Sequence, residues 1–144
     1  MKKEDIKIIG EYSIQDKKTG ETYHQHHNLI TSNGVKWILN RLIFEDTGRI
    51  TNISMGTGKT TPASTDTGLE KAMVDITQFN ITDRTVTDNT LTFKATFKAE
   101  DITGASEIGV YTDKQVLVSH DTFNSLVLPS GSMIEVKYSY TITI

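Results

Sequence analysis

From Met133 to the last residue the chain alternates without a break. Ile134, Val136, Tyr138, Tyr140, Ile142 and Ile144 fall on one side, and Met133, Glu135, Lys137, Ser139, Thr141 and Thr143 on the other. Successive side chains of a strand point to opposite faces, so this run reads as a long β-strand with one buried and one wet face. A long flat strand at a sheet edge would invite association through its unpaired backbone groups, which argues for a central position. Leu91, Phe93, Ala95 and Phe97 against Thr92, Lys94, Thr96 and Lys98 repeat the pattern. Threonine is the most frequent residue, isoleucine is common and alanine scarce, a balance that favours strands over helices.

Other segments extend this reading. Ile6 to Ile14 is a β-rich run broken by Gly10, Lys17-Lys18-Thr19-Gly20 supplies a turn, and Glu21 to Asn28 returns as its partner, giving a hairpin over about residues 5–28. Ile50 to Met55 is a short strand. Glu107 to Tyr111 and Gln115 to Ser119 flank Thr112-Asp113-Lys114 and form a tight hairpin. Leu69 to Ile81 is less regular, with Val74 and Ile76 on one face and Met73, Phe79 and Ile81 on the other, so a bulge or turn is expected there. One helix is expected near residues 34–45. Val35, Ile38, Leu39, Leu42 and Ile43 make a single stripe that Trp37 and Phe44 widen, Thr31, Ser32 or Asn33 can cap it, and Glu45-Asp46-Thr47-Gly48 ends it. That stripe is expected to dock on a sheet. About eight strands and one helix give a mainly β chain, a two-sheet antiparallel β-sandwich forming one domain over residues 1–144.

The stretch Met55-Gly-Thr-Gly-Lys-Thr-Thr-Pro-Ala-Ser-Thr-Asp-Thr-Gly68 suggests a nucleotide-binding loop and fails that test. A P-loop needs a glycine five residues before its Gly-Lys pair, and a helix whose first turn aims N–H groups at phosphates. Ile53 occupies the glycine's place, and Pro62 with its small polar neighbours starts no helix. The stretch is therefore a surface loop, in which Gly56 and Gly58 are expected to adopt a backbone conformation closed to residues with a Cβ.

Cysteine is absent, so disulfides, thiolate nucleophiles and cysteine-based zinc sites are excluded. A net charge of −3 supplies no field that would gather nucleic acid or an anionic membrane, and neither partner is expected. The first residues lack the apolar run of a signal peptide, and no stretch approaches the roughly 18 apolar residues of a membrane span. Synthesis and folding in a cytosol are expected.

Four pieces in order carry a resemblance. They are His27-Asn28-Leu29-Ile30-Thr31-Ser32-Asn33-Gly34 before the helix, Ile53-Ser54-Met55-Gly56-Thr57-Gly58 with the Pro-Ala-Ser-Thr-Asp-Thr loop and Leu69, Ala105-Ser106-Glu107-Ile108-Gly109-Val110-Tyr111, and the closing strand. This order, over residues 24–144, resembles the tail-fibre-like or tail-appendage structural proteins of tailed bacteriophages, with the first hairpin outside it. The resemblance implies a virion protein made in the host cytoplasm, a β-domain that assembles with copies of itself, a trimer in preference, and that packs against other virion proteins. It implies no catalytic residue and no cofactor. A capsid-decorating or head-fibre protein, or a module that binds a host-surface glycan, are the alternatives.

Candidate chemistry is sparse. His24 and His26 lie on one face of a strand, where two imidazoles can share a metal. The alternative is a solvated strand ending in a loop, and the isolated His120 is expected to pack or to face water. Carboxylates are scattered, with Glu100, Asp101 and Glu107 the densest group, and no pair is legible as a hydrolase's acid and base. Trp37, Tyr111, Tyr138 and Tyr140 are assigned to the core. Gly56, Thr57, Gly58, Lys59, Pro62 and Asp66 are the candidate assembly loop, because a long connection of small residues commonly carries a binding role.

Overall fold

The computed structural model describes residues 7–73 and 81–143. In chain order the elements are β1 (Lys7–Asp16), β2 (Thr22–Ile30), α1 (Ser32–Arg41), β3 (Ile50–Gly56), β4 (Asp83–Thr87), β5 (Thr90–Lys98), α2 (Ala99–Ile102), β6 (Glu107–Thr112), β7 (Leu117–Thr122) and β8 (Met133–Thr143). The irregularity expected around Val74, Ile76 and Phe79 lies outside the described residues.

All pairings are antiparallel, in the order β3-β6-β7-β2-β1-β8-β5-β4. The expectation of two separate sheets is corrected here: the eight strands make one curled sheet, a half-barrel. The physical reason lies in β2. Its residues up to Asn28 pair with β1, while Leu29 and Ile30 pair with β7, so one strand hands the ladder from one half to the other.

The concave side holds the core, formed by Tyr12, Ile14, Ile53, Met55, Phe93, Phe97, Ile108, Val110, Ile134, Val136 and Tyr138. Each such side chain contributes about 1.5–3 kcal/mol by leaving water. β8 is central, between β1 and β5, and its alternation has the expected register from Ile134 to Tyr140. Ile142 departs from it and is 47% exposed. The β1 strand runs through Gly10 without a break, because the Asn28 side chain crosses the space a Cβ would fill and donates from Nδ2 to the Tyr138 hydroxyl at 2.9 Å.

A second short helix, α2, was not expected. The expected helix forms but ends at Arg41, short of the expected 45, and it docks differently. Thr31 caps it, its Oγ1 accepting from the Gly34 amide at 2.9 Å and donating to the Leu117 carbonyl at 2.5 Å. Gly34 is the helix's buried residue, lying against the β7 backbone, where an added Cβ would meet the Val118 carbonyl oxygen at 2.4 Å. Trp37 packs against the core edge and donates from Nε1 to the Thr47 carbonyl at 3.1 Å. The stripe expected to dock does not. Val35, Leu39, Leu42, Ile43 and Phe44 are exposed, because the helix meets the sheet through Gly34 and ends at Arg41, before the last three of them.

The two sheet edges are treated differently. β3 is covered by its own downstream chain: the Thr57 amide donates to the Lys71 carbonyl at 2.8 Å, Met73 to Met55 at 3.0 Å and Ile81 to Thr51 at 2.9 Å. β4 has all five residues exposed, and its brevity with Asp83 and Arg84 limits edge pairing.

Candidate functional site

Two polar constellations meet at β7, one through His120 where β6 and β7 meet the 56–71 loop, the other through Asp121 with side chains of β1 and β2. The first is built on Glu107, the opening residue of a strand whose six residues are all buried. Its carboxylate is fully buried and accepts four hydrogen bonds. The donors are the amides of Gly58 at 2.5 Å, Glu70 at 2.8 Å and Lys71 at 2.9 Å, and His120 Nε2 at 3.0 Å. A buried charge is tolerable only when so satisfied. Three loop amides that would otherwise lack partners are satisfied by the same group.

His120 is buried between two carboxylates, with Nε2 on Glu107 and Nδ1 on Asp66 Oδ2 at 2.9 Å. Both bonds form at once when the ring carries a proton on each nitrogen. Asp66 also accepts from the Ala63 amide at 2.8 Å. Burial pushes the Asp66 carboxyl up, but that amide and His120 outweigh it and hold it below the ordinary carboxylate value. Asp66, His120 and Glu107 thus tie the loop to β6 and β7.

The glycines of the loop are explained by this clamp. Gly56 and Gly58 do not have the positive φ expected of them; the positive-φ glycines are Gly20, Gly48, Gly104 and Gly131. Close approach is the reason instead. A Cβ on Gly58 would meet Glu107 Oε2 at 2.2 Å and one on Gly56 the Lys71 carbonyl oxygen at 2.4 Å. Ser106 Oγ donates to the Gly58 carbonyl at 2.8 Å, so that residue is held at both its amide and its carbonyl. Of the loop candidates, Gly56 and Gly58 are buried, Thr57 and Lys59 exposed, and Pro62 and Asp66 half-buried.

The second constellation gathers His24 and His26 with Tyr12 and Asp121. The Tyr12 hydroxyl donates to Asp121 Oδ2 at 2.6 Å and lies 3.0 Å from His24 Nε2, while His26 Nδ1 lies 2.9 Å from the same Asp121 oxygen. Burial, then the Asp121 hydrogen bond, raises the Tyr12 phenol well above its ordinary value. Burial lowers the His24 imidazole, and Asp121 only partly offsets it. The two imidazoles share a face, with centroids 6.1 Å apart. Among the described residues no group of three or more His, Asp or Glu side chains is placed to hold a metal ion. His27 points elsewhere, 3.7 Å from Glu11.

Tyr111, Tyr138 and Tyr140 are buried as expected, and Trp37 is partly so. Glu107, His120 and Asp121 were not legible as a group. One signal was present: the β6–β7 hairpin pairs Gly109 with His120 and Glu107 with Thr122, which makes Glu107 and His120 diagonal neighbours on one face. Among the described residues no helix is long and apolar enough to cross a membrane. No protein-family model matches the chain, and neither a curated protein nor a solved structure is similar to it.

Proposed function

We propose that this chain is a non-enzymatic structural component of a bacteriophage virion, a tail, baseplate or fibre-attachment protein that works by self-assembly and by packing against other virion proteins. The phage assignment rests on the order of sequence motifs. The assembly role is carried by one observation, the apolar ridge at the end of α1. Leu39, Leu42, Ile43 and Phe44 are 60%, 75%, 77% and 57% exposed. Beside the ridge lies an apolar groove of about 290 Å³, lined by Trp37, Ile38, Val86, Leu91, Tyr140 and Ile142. The groove takes in Trp37 and Ile38, the residues just before the ridge in the chain. Contiguous apolar surface of this kind is uncommon on a monomer and marks interaction sites. In this reading the two halves of the sheet act as the facing layers of a sandwich around the common core, leaving the ridge for neighbours.

Size-exclusion chromatography with light scattering tests it. The protein forms a defined oligomer, a trimer in preference, and the double variant Leu42→Ser/Phe44→Ser is monomeric with an unchanged circular dichroism spectrum. A wild-type chain that stays monomeric at every concentration would overturn the reading.

A further inference from the structure

We propose that the depression between β2, the end of β7 and the 56–71 loop binds an oxyanion, a carboxylate or phosphate, carried on a small polar molecule. This goes beyond the assembly role and does not depend on it. The depression, of about 470 Å³, is lined by His24, His26, Lys59, Phe123, Asn124 and Ser125 among others, and no carboxylate is among its lining residues. That volume lies within the roughly 300–1,000 Å³ of small-ligand sites.

Three features give the site its chemistry. The first is charge. Lys59 and two imidazoles face the space, and the acid beneath them, Asp121, is 7% exposed with its Oδ2 already engaged by Tyr12 and His26. Lys59, Asn124 and Ser125 therefore present donors to the depression, and an imidazole adds a positive N–H when it is protonated, which suits an oxyanion. The second is preorganisation. The amide of Gly58 is held by Glu107 and its carbonyl by Ser106, which fixes the backbone from which the next residue, Lys59, projects. With that backbone fixed, only the lysine side chain has to be ordered when it meets a ligand. The third is shape. The Phe123 and His24 rings lie with centroids 4.7 Å apart, tilted by 30°, and form an aromatic wall, while Asn124 and Ser125 add an amide and a hydroxyl. An oxyanion on a compact ring can meet the cations with its charge and the wall with its body. The Gly-Lys pair, which fails as a P-loop, finds a use here without any helix.

The test is calorimetric titration of the full chain at about pH 5.5, a unit below the ordinary histidine pKa because burial lowers that of His24, with glucuronate, inorganic phosphate and glucose as separate probes. Saturable binding is expected for glucuronate or phosphate and none for glucose. Tighter binding of glucuronate shows that the ring is read as well as the charge, and tighter binding of phosphate shows that the free ion is the ligand. Lys59→Ala weakens the better anion roughly tenfold or more, and Lys59→Arg restores most of it. The imidazole proton resonances of His24 and His26 shift on titration in the wild type. No saturable binding of either anion would overturn the proposal. So would anion binding that Lys59→Ala leaves unchanged, or histidine resonances that respond only to added zinc.

Discussion

The 56–71 loop and the 39–44 stretch that closes α1 have exchanged the places that their compositions suggest. The loop is polar and glycine-rich, yet Gly56 and Gly58 are buried and its amides converge on the carboxylate of Glu107. The helix end is apolar, yet Leu42 and Ile43 are about three-quarters exposed. The difference teaches that hydropathy is not what positions these two segments. Backbone hydrogen-bonding demand pulls the loop in, and the close contact of Gly34 with Val118 sets the helix at an angle that leaves its stripe outside.

The strongest way to break this comparison is to remove the clamp. Glu107→Ala strands three amides and His120 in a buried space and is expected to cost about 3–5 kcal/mol in denaturant unfolding, with new proteolytic cleavage between Lys59 and Asp66. A cost below about 1 kcal/mol would mean that the loop is held by other contacts.

A smaller effect is expected at the helix. Gly34→Ala improves helix propensity by up to about 1 kcal/mol, but its methyl group meets backbone that cannot give way easily. Net destabilisation of about 1–3 kcal/mol follows, read from the thermal midpoint. Stabilisation instead would show that the helix does not sit on β7.

Acid probes the loop together with Asp16 and Glu100, whose carboxyls are also held below their ordinary values. The Asp66 pKa is lower in the folded protein than its ordinary value, so its contribution to stability is present above the ordinary carboxylate pKa and is lost as pH falls through the lower, folded value. Loop opening, followed by the His120 ring proton resonances, is therefore expected only below the ordinary carboxylate range. Asp66→Asn removes that dependence. The smallest stability effect is expected from Leu42→Ser/Phe44→Ser, within about 0.5 kcal/mol for the monomer, because neither side chain is buried.

Much of the fold was legible because period two is a direct consequence of strand geometry. The faces of β5 and β8, the β6–β7 hairpin and the Thr31 cap all follow from local pattern. The joining of the two halves through Leu29 and Ile30 was not legible, since no local signal reports that one strand serves two neighbours. The orientation of α1 escaped for a related reason. Its stripe was visible, but the contact that decides which face docks is made by a residue without a side chain, Gly34. At the site, the sharing of a face by His24 and His26 was readable from their spacing. Their meeting with Tyr12 and Asp121, and the clamp of Glu107 on amides 36 to 49 residues away, depend on tertiary approach.

Residue-resolved amide hydrogen exchange, recorded over a range of protein concentrations, reads both regions in one experiment. The account predicts slow exchange at Gly58, Glu70 and Lys71 at every concentration, because their acceptor belongs to the same chain. It predicts faster exchange than at those three amides across residues 39 to 44 in dilute solution, where the hydrogen bonds of the helix end are open to solvent, and slower exchange as copies assemble over the ridge. Fast exchange at the three clamped amides, or exchange across the ridge that is slow when dilute and indifferent to concentration, would contradict it.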